Sequence, residues 1–166
     1  MAKGRTNLSS YVYCNKKFQD TRDQKPDSYY SDYINLDISQ LGFQYFTPLC
    51  DSLMVGNYSL LERELKAIEQ SHKAKRITEE QFNSLLNSFG RVNPEAESFF
   101  DAWIKEFPNS YMAYHAKSNF LQSMAWHHRG QTYWSEVPDD KKQLFQAISK
   151  SALVNTERAI QLNPDF

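Results

Sequence analysis

Cysteine is nearly absent from this chain of 166 residues. Cys14 and Cys50 are too few for a disulfide framework and lack the C-x-x-C spacing of a redox or zinc site, so both read as reduced thiols. Glycine is scarce as well, at five residues, and none lies in a phosphate-cradling loop or a G-x-S-x-G nucleophile elbow. No sign of charge prevails. Nineteen Lys and Arg stand against twenty Asp and Glu, a formal net charge of -1, which gives no summed field to draw in nucleic acid or an anionic membrane. No run of about eighteen apolar residues occurs, and no signal-like apolar stretch follows the opening Met-Ala-Lys-Gly-Arg. These absences predict a cytoplasmic protein with no membrane span, no nucleic-acid partner and no cofactor.

Aromatics are what the chain does have: 11 Phe, 10 Tyr and 3 Trp, or 14% of the residues. Each buried ring removes on the order of 150–250 Å² from water, so a few of them can carry the core of a single domain.

Two segments differ in pattern. Residues 1–46 are polar and Tyr-rich, with turn formers at Asn15, Asp20, Asp23, Pro26, Asp27 and Asn35, and predict irregular structure. Within them only Tyr11-Val12-Tyr13 (extended) and Tyr29 to Leu36 (a helical turn or two) suggest local order. Residues 47–166 predict a helical domain whose clear periodicity begins at Asn57.

There Tyr58, Leu61, Leu65 and Ile68 share one helical face behind an Asn57 cap, and Lys73, Lys75 and Arg76 suit a C-terminal end near Arg76. Thr78-Glu79-Glu80-Gln81 is a capping box ahead of Phe82, Leu85, Leu86 and Phe89, with Gly90 placed to stop that helix in the left-handed conformation. Asn93-Pro94 predicts a restart, and Phe99, Phe100, Trp103, Ile104 and Phe107 a buried stripe that ends at Pro108. Asn109 or Ser110 caps a helix running from Tyr111 toward Gly130, whose wide, alanine-dotted face implies two packing neighbours. Asp139 and Asp140 then open a final helix with Leu144, Phe145, Ile148, Ala152, Leu153, Ala159 and Ile160 on its apolar side, and Asn163-Pro164 closes it. The expected fold is all-α: an antiparallel stack of about five helices joined by short turns.

The closing Ala159-Ile160-Gln161-Leu162-Asn163-Pro164 resembles the end of a tetratricopeptide repeat, and Phe100 to Pro108 is a helix of similar style. Pro108 and Pro164 lie much farther apart than the roughly 34 residues of a standard repeat, so the helices between them are longer. Asp101-Ala102-Trp103, Phe107-Pro108-Asn109-Ser110, Ala125-Trp126-His127-His128-Arg129-Gly130 and the terminal Ala-x-x-Leu-Asn-Pro are similar to a bacterial family known as domain of unknown function 4034. The resemblance covers about residues 95 to 166 and implies a tetratricopeptide-like helical protein with no catalytic residues to carry over. The family continues with further helices where this chain stops at Phe166, which implies an uncapped face and a homodimer as one outcome.

The dense polar and aromatic cluster is Trp126, His127, His128 and Arg129, followed by Tyr133 and Trp134. As a partner or ligand groove it would offer an arginine fork for a carboxylate. As plain structure, which is the favoured reading, Arg129 pairs with Asp101 or Glu157 and Trp126 joins the core. No metal site is expected, because adjacent histidines cannot both face one ion from a regular helix and His72 and His115 are remote. Glu62, Glu64, Glu79 and Glu80 read as solvent-facing, and no nucleophile–base pair stands out, so no catalytic residue is assigned. The functional expectation is a protein- or peptide-binding scaffold or adaptor, a toxin-neutralising protein being one version. Its alternatives are a small-ligand or enzymatic site at the Trp126–Gly130 cluster and a self-associating module.

Overall fold

The computed structural model describes residues 43–91 and 94–165. Tyr11 to Tyr13, Tyr29 to Leu36, Cys14 and Asn93 lie outside them. The described residues form six α-helices and no strand: α1 (Phe43–Met54), α2 (Tyr58–Lys73), α3 (Glu79–Asn87), α4 (Glu97–Glu106), α5 (Tyr111–Arg129) and α6 (Asp139–Leu162). Short 3₁₀ turns at Ser88–Arg91, Pro94–Ala96 and Trp134–Glu136 link some of them. Among the described residues no helix is long and apolar enough to cross a membrane.

The caps are where local chemistry places them. Asn57 accepts a hydrogen bond from the Leu60 amide at 3.2 Å. Thr78 and Gln81 close a reciprocal capping box, the Thr78 amide donating to Gln81 Oε1 at 2.9 Å and the Gln81 amide to Thr78 Oγ1 at 3.2 Å. Ser110, not Asn109, caps α5 by accepting from the Ala113 amide.

Several expectations need correction. Helix α1 stands where the periodicity shows no helix before Asn57, and it holds Pro48 in its interior. Helix α2 ends at Lys73 and not near Arg76, because Lys75 turns to a left-handed φ of 58° and the Arg76 amide donates back to the Ser71 carbonyl. Gly90 is not a left-handed stop: it lies in the 3₁₀ turn where a Cβ would meet the Asn119 carbonyl oxygen of α5 at 3.0 Å, so its lack of a side chain permits close packing. Cys50, fully buried in α1, is disulfide-bonded and not a reduced thiol.

The core is aromatic at its centre. Phe89 meets Phe100 edge-on at 6.2 Å and Trp103 at 6.0 Å, while Phe100 lies 5.0 Å from Phe120; all four are completely buried. Leu53, Leu61, Leu65 and Leu86 fill the space around them. The fully buried Trp103 is not left with a bare indole N–H, which donates at 2.8 Å to Glu62 Oε1. Glu62 is only 4% exposed, so the solvent-facing assignment fails for this residue.

Helix α5 is the central element, meeting α3, α4 and the Ser88–Arg91 turn on one side and α6 on the other. Helix α6, 24 residues long, returns along it in the opposite direction. Phe145 near its start meets Trp126 near the end of α5, Ala152 and Thr156 face Ser118 at the middle, and Arg158 lies over the Tyr114 ring. The buried Ser118 hydroxyl donates to the Ala152 carbonyl at 2.9 Å and lies 2.6 Å from that of Thr156. Ala152 and Ala159, seven residues apart on one face, form the buried seam. Leu153 and Ile160 follow each by one residue, about 100° around the helix, and are 56% and 47% exposed. With Leu144 at 42%, they leave the expected apolar stripe of α6 only partly covered.

Candidate functional site

The α5–α6 corner is built by one helix stop and one short return. Gly130 ends α5 at φ 79° and ψ −168°, backbone that is essentially restricted to glycine, while its amide still donates to the Trp126 carbonyl at 3.0 Å. The chain then passes through the Trp134–Glu136 turn, anchored by the buried Val137, into α6. This return sets the first turns of α6 opposite the last turn of α5.

Three of the six sequence-predicted residues come together there. The Arg129 guanidinium carbon lies 4.7 Å from the Trp126 ring centre and 5.8 Å from that of Trp134. Phe145 of α6 sets its ring edge-on to both indoles, at 5.4 Å from Trp126 and 5.7 Å from Trp134. Lys142 Nζ reaches to 6.0 Å from the Trp134 centre, yet its charge is matched by Asp139 at 3.0 Å. Phe145 was assigned to the core and Lys142 passed unnoticed. The antiparallel return of α6 was the signal that places both at this corner.

The other three residues do not join the cluster. His127 and His128 are exposed and meet each other at 5.8 Å between ring centres, and Tyr133 projects into solvent at 80% exposure. The structural reading of the cluster also needs correction. Arg129 pairs with neither Asp101 nor Glu157; it donates to the Thr132 carbonyl at 3.3 Å, and Asp101 pairs with Lys117 of α5. Trp126 is not core but 52% exposed, and Trp134 is 42% exposed. The result is a ridge of rings around a cation that has no carboxylate partner among the described residues.

A groove of about 260 Å³ lies elsewhere, between α2 and the turn from α4 into α5, and was not foreseen. Glu62, Lys66, Glu69, Glu106 and Tyr111 line it. Two of its three carboxylates serve the fold: Glu62 accepts from Trp103, and Glu69 pairs with Lys73 at 2.6 Å. Burial pushes the Tyr111 phenol far above its ordinary range, and the charge and hydrogen bond of Glu69 push it further, so it stays protonated. Ser110, the one hydroxyl other than Tyr111 that lines this groove, is engaged as the cap of α5.

The remaining histidines sit in the core region. His72 stacks on Phe82 at 4.9 Å. Burial lowers His115 to a pKa of about 4, and its Nε2 lies 3.0 Å from the Asn119 amide nitrogen, which also donates to the Leu86 carbonyl at 3.3 Å. Among the described residues no group of three His, Cys, Asp or Glu side chains is placed to hold a metal ion.

No curated protein and no solved structure matches the chain. The family model described as domain of unknown function (DUF4034) matches residues 51–165, from within α1 to just beyond α6 and well past the segment about 95 to 166 that carried the resemblance. The chain belongs to the DUF4034 family.

Proposed function

We propose that this chain is a non-enzymatic, tetratricopeptide-like scaffold that docks a segment of another protein on the aromatic ridge at the α5–α6 corner. The observation that carries the reading is the exposure of Trp126 and Trp134 on either hand of Arg129, whose guanidinium lies over both indoles. Trp, Tyr and Arg are the side chains most enriched at binding hot spots, because they offer large contact area at low entropic cost. Large apolar faces held open to water at one corner suit a surface that a partner covers.

The rigid supports strengthen the reading. Phe145 fixes both indoles from below, and the Ser118–Ala152–Thr156 bonds hold the two helices in register. The rings are thus oriented before any partner arrives, which lowers the cost of binding.

Affinity capture with the wild-type chain and with a Trp126→Ala, Trp134→Ala double variant tests the proposal. A partner retained by wild type and lost from the variant is expected, since a hot-spot truncation weakens binding by roughly 2 kcal/mol or more, about thirtyfold. Identical captured sets would refute a docking role for the ridge.

A further inference from the structure

We infer that the occupant of the ridge is an acidic segment of another protein, with an Asp or Glu carboxylate forked by Arg129 and a neighbouring apolar side chain resting on the indoles of Trp126 and Trp134. This rests on the docking reading above and names the partner's chemistry.

Three features of the corner select that chemistry. First, Arg129 is the uncompensated cation: Lys142 is matched by Asp139, whereas Arg129 meets only ring faces and the Thr132 carbonyl. A guanidinium carries five N–H donors in a planar fork, and a single carbonyl bond leaves most of them free for a bidentate carboxylate. Second, stacking against Trp126 holds the guanidinium in place before a ligand arrives, which a flexible lysine would not achieve. Third, the indole N–H groups of Trp126 and Trp134 have no acceptor among the described residues, so the ridge adds two unused donors to those of its cation. A ligand that supplies acceptors and one negative charge completes it.

The surroundings limit that charge to one or two groups. Glu136 and Asp140 are exposed within a few positions of Trp134, while Asp139 is matched by Lys142, so a polyanion that extends along this stretch would meet two further carboxylates. Single-stranded nucleic acid can stack on tryptophan, but its phosphates repeat at every nucleotide and would meet that repulsion. A peptide places a lone carboxylate on Arg129 and avoids the rest.

Random-peptide display against the immobilised full chain tests the inference, followed by fluorescence-polarisation titration of the selected peptides. Selected peptides are expected to carry an Asp or Glu beside an apolar residue. Changing that acid to its amide, or Arg129→Gln in the protein, is expected to weaken binding about tenfold or more. Arg129→Lys should recover only part of it, since the charge returns without the fork. Helical circular dichroism of each variant is expected to match wild type, because Arg129 contributes only one exposed carbonyl bond and contacts with two half-exposed rings to the fold.

Peptides that require Trp126 but carry no acid, and that bind Arg129→Gln unchanged, overturn this inference and leave the docking ridge standing. Peptides indifferent to both Trp126→Ala and Trp134→Ala, or an empty selection, overturn the docking reading with it. Tighter binding of a single-stranded oligonucleotide than of any selected peptide at the same indoles overturns the assignment to an acidic segment.

Discussion

Acidification is expected to loosen this fold through one residue, His115. Its ring is largely buried on α5, against the Asn119 amide that ties α5 to the carbonyl of Leu86 in α3. Burial disfavours the charged imidazolium, so the folded pKa falls to about 4, against about 6.5 for an exposed histidine. Above 6.5 the ring is neutral in folded and unfolded chains alike, and its contribution is fully present. As pH drops below 6.5, the unfolded chain gains a proton that the folded chain refuses, and stability declines until about pH 4, where the folded ring is protonated too. At about 1.4 kcal/mol per pKa unit, the gap amounts to about 3 kcal/mol, a large part of the 5–15 kcal/mol of a typical domain. Urea midpoints measured from about pH 7 to about pH 4 on wild type and His115→Gln isolate the effect, because the carboxylates titrate equally in both proteins and cancel in the difference. The wild type should lose about 3 kcal/mol relative to the variant across this window. A difference that stays flat would refute the buried neutral histidine.

Two further substitutions probe the core directly. Glu62→Ala strands the Trp103 indole N–H in a dry site and is expected to cost about 1–3 kcal/mol in chemical denaturation, whereas Glu62→Gln keeps an acceptor and costs less; equal losses would exclude the hydrogen bond as the cause. Gly90→Ala drives a methyl group to within 3.0 Å of the Asn119 carbonyl oxygen and should lower stability by about 1–3 kcal/mol, a loss seen as a reduced melting temperature; an unchanged melting temperature would show that the 88–91 turn yields freely.

Much of the helical architecture is legible in the chain because its signals are local. The Asn57, Thr78–Gln81 and Ser110 caps each close within three residues, so sequence spacing and structure coincide. The failures are equally physical. Helix α1 carries Pro48 in its interior, so its helicity is not written in local pattern. Glu62 reads as solvent-facing because an acid beside leucines on an amphipathic helix normally is, and its burial depends on the indole of Trp103, 41 residues away, as well as on nearby Lys66. The α6 stripe was drawn too wide because periodicity tells which residues share a face and not how far a neighbour covers it.

At the candidate site the division is sharper. Trp126, Arg129 and Trp134 lie within nine positions of one another, and their types alone mark them as unusual. Their exposure, the absence of an acid on Arg129 and the support of Phe145 depend on the antiparallel return of α6.

The sequence by itself therefore determined an all-α chain, most of its helix boundaries and the residue types at its α5–α6 corner, because caps, turns and periodicity act over a few residues. Which faces stay open to water, which charges find partners and which ring supports which indole were decided only by the tertiary structure, because each depends on what a distant helix covers and what it leaves bare.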